Sequence, residues 1–353
     1  MVSNAANLNK RQDAILSYIV QNGVVAPGLI VGHIQGLFGD ITRVTVARDL
    51  GALLRLGLVM RSGAGRSSRY AISSRYALVR DIDREAYFAT DADKRDIRET
   101  FNFDIFDSLK DVFSENERMR LNELNAIYQK KFIALPIDGC KKEMERLIID
   151  FSWKSSKIEG NTYDLLETEQ LIRNRQQASG HTQEEAIMIL NHKTALEYVR
   201  ENQSVFREMD VRKIEDIHTL LTDGLGITKG IRKSLVRIIG TRYVPIDNEF
   251  QIREVLRRTC DLVNGTVNPF EKAVVLMLLV AYIQPFTDGN KRTSRIAGNA
   301  VLQSYDCCPL SYRSMDEGEY KKAMILFYEQ NNVAYFKELF LSQFSFAVEN
   351  YFG

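Results

Sequence analysis

From about residue 101 onward, this chain of 353 residues keeps its apolar side chains at helical spacing and rarely interrupts them. That pattern confines most of the sequence to a mainly α fold. Helices are expected over Leu109 to Phe132, Cys140 to Ile158, Glu184 to Arg200, Arg212 to Leu225 and Phe270 to Tyr282. The one departure is Leu235-Val236-Arg237-Ile238-Ile239-Gly240. It is β-branched and followed by Arg242-Tyr243-Val244-Pro245, which predicts a short β-hairpin with an unpaired edge. The most apolar stretch, Ala273 to Ile283, falls short of the roughly 18 residues a membrane span needs and reads as a buried helix.

The first 75 residues follow a different plan. Ile15, Ile19 and Val20 share one side of a helix over 9–22, which Asn22-Gly23 ends. Pro27 suits the start of a second helix reaching Phe38, stopped by Gly39. A third, from Ile41 to Leu56, carries Val46, Leu50, Leu53 and Leu54 at helical spacing and stops at Gly57. Leu58 to Met60 and Ser68 to Ile72, joined by Ser62-Gly63-Ala64-Gly65-Arg66, predict a hairpin with a glycine-rich tip. Three helices and a basic hairpin resemble a winged helix-turn-helix. In that resemblance the third helix presents Thr42, Arg43, Thr45 and Arg48 to the major groove, and Arg66 and Arg69 set the wing against phosphates. A winged helix used for protein contact or dimerisation fits the same residues. Residues 76–150 are expected to hold a charged linker and the first helices of the following domain, which runs over 151–345.

Charge separates the two regions. Residues 1–75 hold nine Lys or Arg against three Asp or Glu, although the whole chain carries only +1. An anionic partner is therefore expected for the first domain alone. Cys140, Cys260, Cys307 and Cys308 form no CxxC pair and no zinc spacing, so they read as reduced thiols of a cytoplasmic protein. No basic flank followed by an apolar run marks a signal peptide at the N-terminus.

The stretch with the most chemistry is Gln284-Pro285-Phe286-Thr287-Asp288-Gly289-Asn290-Lys291-Arg292-Thr293-Ser294-Arg295. Pro285 ends the buried helix, and a new helix begins near Asn290. Free N–H groups at that start, with Gly289 allowing close approach, make an anion site favoured by the helix dipole. Arg292 and Arg295, three apart, can face one ligand, and two guanidinium forks suit a polyphosphate. Asp288 is a carboxylate of the kind that holds Mg²⁺ on a nucleotide. A helix cap with surface arginines is the alternative these residues leave open.

This loop is similar to the signature of the Fic family, His-x-Phe-x-(Asp/Glu)-Gly-Asn-(Gly/Lys)-Arg-x-x-Arg. Phe286, Asp288, Gly289, Asn290, Lys291, Arg292 and Arg295 fit it, and Gln284 stands where the family has its catalytic histidine. A second stretch, Ser155-Ser156-Lys157-Ile158-Glu159-Gly160-Asn161, resembles the family's inhibitory motif, (Ser/Thr)-x-x-x-Glu-(Gly/Asn). Alone, Glu159 would read as an ordinary helix-end carboxylate. The resemblance covers residues 100–345 and implies a Fic-type helical domain with an inhibitory helix ending near 160.

The resemblance also implies roles. Fic proteins transfer AMP from ATP to a hydroxyl of a target protein, the histidine taking the hydroxyl proton. Asp288 would hold Mg²⁺. Gly289, Asn290 and Lys291 would line the inner phosphates, Arg292 would bind the β-phosphate, and Arg295 would bind either the γ-phosphate or Glu159. The predicted hairpin would be a flap that aligns the target through Val236, Ile238 and Tyr243. Gln284 has no titration near neutral pH, so little or no activity is expected of this form. The expected partners are a target protein or the chain itself, and duplex DNA for residues 1–75. Homo-oligomerisation stays open, and no membrane partner is expected. A noncatalytic nucleotide sensor coupled to DNA binding is the second functional class the sequence admits.

Overall fold

The structure, a computed structural model, describes residues 8–352. It divides into two compact units, one ending at Asp81 and one beginning at Ile82.

The first unit opens with α1 (Lys10–Asn22), α2 (Pro27–Phe38) and α3 (Arg43–Arg55). Each start has a local cause. Asn9 and Gln12 close a capping box on α1, Pro27 opens α2, and Thr42 Oγ1 accepts the Thr45 N–H at 3.2 Å to cap α3. β1 (Val59–Ser62) and β2 (Arg69–Ile72) pair antiparallel, Val59 opposite Ile72 and Ser62 opposite Arg69. The hairpin joins the helices through a bridge between Val25 and Tyr70. Ile15, Leu16, Ile19, Ile30, Ile34, Val46, Leu50, Leu53 and Val59 fill the core, so the apolar stripe expected of the third helix does face inward. The short α4 (Ser74–Val79) closes the unit.

The second unit is helical: α5 (Arg84–Ala89), α6 (Ile105–Ser108), α7 (Glu115–Ala134), α8 (Ile137–Ile158), α9 (Leu165–Asn174), α10 (Gln183–Glu201), α11 (Val211–Leu221), α12 (Glu249–Gly265), α13 (Pro269–Ile283), α14 (Asn290–Ser304), α15 (Glu317–Gln330) and α16 (Ala334–Asn350). The helix expected from Leu109 starts six residues later. Ser114 and Glu117 form a capping box there, while Leu109 and Phe113 bury their side chains in the connection before it. Every side chain of α13 after Pro269 is buried. α14 packs closely upon it: a Cβ on Gly298 would come within 1.9 Å of Met277 Cε. That close approach sets the start of α14 against the end of α13, where the signature loop lies. Among the described residues no helix is long and apolar enough to cross a membrane.

The hairpin expected at 235–246 does not form. Leu235 to Ile239 has no strand partner, and the one bridge nearby pairs Val244 with Thr100, the Val244 N–H donating to the Glu99 carbonyl at 2.8 Å. Arginines, not a second strand, satisfy the carbonyls around this segment. Arg232 donates to the carbonyls of Ser234 and Ile246, and Arg95 to that of Gly240. Tyr243, expected on the flap, is fully buried; it stacks on Tyr282 and donates its hydroxyl to the Tyr282 carbonyl at 2.9 Å. Val236 and Ile238 are half-buried, and Ile239 between the two limbs is 97% exposed.

Candidate functional site

The signature loop is held by its own side chains. α13 ends at Gln284, whose backbone takes the left-handed conformation at φ 51°, uncommon for a residue with a side chain. Its carbonyl is fixed by Arg232 Nε at 2.6 Å, and its side-chain amide donates to the Ala281 carbonyl at 2.6 Å. Asn290 then closes the loop. Its Oδ1 accepts the Phe286 N–H at 2.8 Å, and its Nδ2 donates to the Phe286 carbonyl at 2.9 Å. Gly289 supplies φ 80° at the turn into α14, and no side chain caps that helix.

His218 reaches the loop from α11. Its ring lies flat on Phe286 with centroids 3.7 Å apart, and its Nε2 donates to the Asp288 carbonyl at 3.0 Å. Burial keeps this imidazole neutral, its pKa pushed down to about 4.

The arginines of the loop part company. Arg292 Nη2 donates to the Asp288 carboxylate at 2.8 Å. Arg295 is wholly buried and turns to α8: its Nε donates to Ser155 Oγ, and its Nη2 to the Ser155 carbonyl and to Glu159 Oε1, each at 2.9 Å. The other oxygen of Glu159 takes Lys291 Nζ at 2.8 Å. Burial raises the pKa of this carboxyl, but Arg295 and Lys291 outweigh burial and hold it down at about 2. Glu159 caps the end of α8, and Gly160 turns the chain away at φ 99°.

His192, on α10, completes the network. Its Nδ1 donates to the Met188 carbonyl at 2.8 Å, which leaves Nε2 to accept from Ser155 Oγ at 2.9 Å. The ring is neutral, buried, with its pKa down to about 3. Ser155 can then accept from Arg295 while donating to His192, so one hydroxyl links the arginine to the histidine.

Two guanidinium nitrogens at this site, besides the Thr293 hydroxyl, have no partner. Nη1 of Arg292 and Nη1 of Arg295 are buried and unbonded among the described residues. Buried guanidinium N–H groups left unmet are costly, and an oxyanion would satisfy them. Among the described residues no cluster of three or more His, Cys, Asp or Glu side chains is placed to hold a metal ion. The Asp288 carboxylate is 68% exposed beside the loop.

The structure brings Asp288 to Arg295, Ser155 and Glu159 into one neighbourhood, and it pairs Glu159 with Arg295, the contact the Fic resemblance implied. Sequence reasoning missed Arg232, which carries no motif. It gave Glu159 one partner, Arg295, whereas Lys291 engages the carboxylate as well.

A helical domain with an uncapped, arginine-lined helix start facing a buried glutamate is the class of protein these features define. Residues 208–302 match the family model described as the Fic/DOC family, so the chain carries a Fic domain. Among curated relatives it is 26% identical over 188 residues to the protein adenylyltransferase Fic of Nematostella vectensis, covering 51% of this chain and 43% of that one. It is 25% identical over 170 residues to the protein adenylyltransferase fic-1 of Caenorhabditis elegans, covering 46% and 33%. The chain thus spans less than half the length of these relatives. Among solved structures, Fic-1 of C. elegans superposes with a TM-score of 0.57 at 18% identity, covering 67% of this chain and 71% of that one. A Fic domain containing signaling protein from Bacteroides thetaiotaomicron gives 0.56 at 18% identity, covering 65% and 94%. These likenesses establish the Fic fold of the helical unit.

Proposed function

We propose that the second unit binds ATP at the 284–295 loop and is built for AMP transfer from ATP to a protein hydroxyl, held closed by Glu159. The observation that carries this reading is Arg295: a fully buried guanidinium with one N–H unbonded and another committed to Glu159. The unbonded Nη1 groups of Arg292 and Arg295 fit phosphate oxygens. Mg²⁺ commonly binds through one or two carboxylates plus substrate phosphates, and Asp288 fits as such a carboxylate; the metal would neutralise phosphate charge. Asn290 and His218 keep the loop in shape, and Glu159 competes with phosphate for Arg295. Gln284 occupies the position of the general base and accepts no proton near neutral pH. General base catalysis contributes about 10²–10⁴-fold, so this form binds nucleotide with little or no turnover. In calorimetry with ATP and Mg²⁺, Arg292→Ala should weaken binding about tenfold or more, the loss of a charge-assisted contact. Unchanged affinity in that variant refutes the phosphate assignment.

A second reading concerns the first unit, and a specific observation favours it. Arg43, Arg48 and Arg66 are exposed, and among the described residues no carboxylate pairs with them. The one acid on α3, Asp49, is buried and paired with Arg11 Nε at 2.9 Å. A winged helix-turn-helix with this uncompensated basic face would bind duplex DNA, Thr42 capping α3 while Arg43, Thr45 and Arg48 approach the groove. With Gln284 at the base position, the whole chain would then act as a nucleotide sensor on DNA. Mobility shifts at increasing salt test this, each phosphate contact adding about 0.9 to the slope of log K against log salt. No shift at low salt assigns the unit to protein contact instead.

A further inference from the structure

The Glu159 carboxylate is shared. Arg295 Nη2 holds one oxygen at 2.9 Å and Lys291 Nζ holds the other at 2.8 Å. Lys291 and Arg295 are four apart on α14, so they rise on the same face and meet the same end of α8. Arg292 is turned the other way, to Asp288. The closed site therefore commits two cations of the loop to one anion.

We infer that Lys291 makes the Glu159 contact a two-cation clamp, which withholds inner-phosphate as well as terminal-phosphate recognition, so that the closed state disfavours a nucleoside diphosphate as much as a triphosphate. The inference rests on the nucleotide reading given above. A carboxylate held by Arg295 alone would leave Lys291, beside the start of α14, free to take a phosphate whatever Glu159 did. Here a phosphate arriving at either cation must displace the same carboxylate. The two cations are coupled through their shared anion: once one is engaged by ligand, Glu159 keeps only the other. Charge balance favours such an exchange. Among the described residues the carboxylates paired with Lys291, Arg292 and Arg295 are those of Glu159 and Asp288, which leaves an excess of positive charge for a polyphosphate to neutralise.

The test is calorimetry of ADP and of ATP, each with Mg²⁺, on the full chain, Glu159→Gln, Lys291→Met and the double variant, with thermal melts to verify folding. Glu159→Gln should tighten both nucleotides about tenfold or more, since each gains back a charge-assisted contact. Lys291→Met should change ADP affinity little in the starting chain, because contact and clamp are lost together. In the Glu159→Gln background it should weaken ADP about tenfold. Lys291→Arg should preserve the coupling. Tightening of ATP alone by Glu159→Gln, or the same loss from Lys291→Met in both backgrounds, overturns the two-cation clamp while leaving the nucleotide site intact. Absence of binding in all four proteins removes the nucleotide site and the clamp with it.

Discussion

The two units use arginine in opposite ways. In the first, Arg43, Arg48 and Arg66 stand in solvent and no carboxylate of the described chain engages them. In the second, Arg232, Arg292 and Arg295 are buried, and each commits N–H groups to carbonyls, hydroxyls or carboxylates, Nη1 of Arg292 and of Arg295 excepted. An exposed cation costs the fold little and stays available to a distant anion, through a field that salt screens. A buried one is stable only with its partners in place, so a ligand must exchange for a partner already there. The difference separates a surface suited to steering from a site suited to switching.

Acid should break the comparison most strongly. Burial holds His192 and His218 neutral, with pKa values down to about 3 and about 4. A histidine whose folded pKa is depressed stabilises the fold above its unfolded value near 6.5. That contribution is lost as pH falls from there toward the folded value. Between pH 7 and pH 5 each histidine should cost about 2 kcal/mol, roughly 4 together, in urea unfolding of the second unit. A loss below about 1 kcal/mol would mean that the two rings are solvated. Over the same range Glu159 stays ionised, since its contribution is lost only as pH falls from about 4.5 toward 2.

Arg295→Ala sharpens the contrast from the other side. It strips one of two cations from a buried carboxylate and should destabilise the second unit by about 3 kcal/mol. Arg43→Ala, on the exposed face, should leave stability within about 0.5 kcal/mol. Equal effects of the two substitutions would erase the distinction.

Glycine gives the smallest test. Gly298 is crowded by Met277, and Gly298→Ala should cost about 1–3 kcal/mol by overpacking α13 against α14. Gly32, in the middle of α2, has nothing within 4 Å of an added Cβ. Gly32→Ala should stabilise the first unit by about 0.5–1 kcal/mol, the cost of a helical glycine being removed. Thermal melts of both variants check the opposite signs.

Helices with a stop signal and a strong stripe were legible: Gly39 ends α2, and Val46, Leu50 and Leu53 all face the core. The turn of the loop was legible because its signals are contiguous: α13 stops before Pro285, and Gly289 leads into α14 at Asn290. The flap was not. Leu235 to Ile239 has the composition of a strand, but composition does not say which group takes the carbonyls, and here Arg232, just before the segment, and Arg95, from far along the chain, do. Arg232 and the Ser155–His192 link escaped for the same reason: each contact joins residues far apart in sequence, with no local spacing to betray it. The Fic resemblance implied a phosphate role for Lys291, and its contact with Glu159 became visible only once α8 and α14 were set side by side.

The central claim is a nucleotide site that Glu159 keeps closed and that Gln284 deprives of a base. Transfer of labelled AMP from ATP, compared across Gln284→His, Glu159→Gly and the double variant, tests it most directly. Freeing Arg295 and restoring a proton acceptor act on one step, so their effects should exceed the product of the two singles. The account predicts weak labelling by Gln284→His alone, none by Glu159→Gly alone, and labelling of the chain or an added protein by the double variant. A double variant as inert as the starting chain would contradict the transferase reading, and full activity in Gln284→His with Glu159 in place would contradict the clamp.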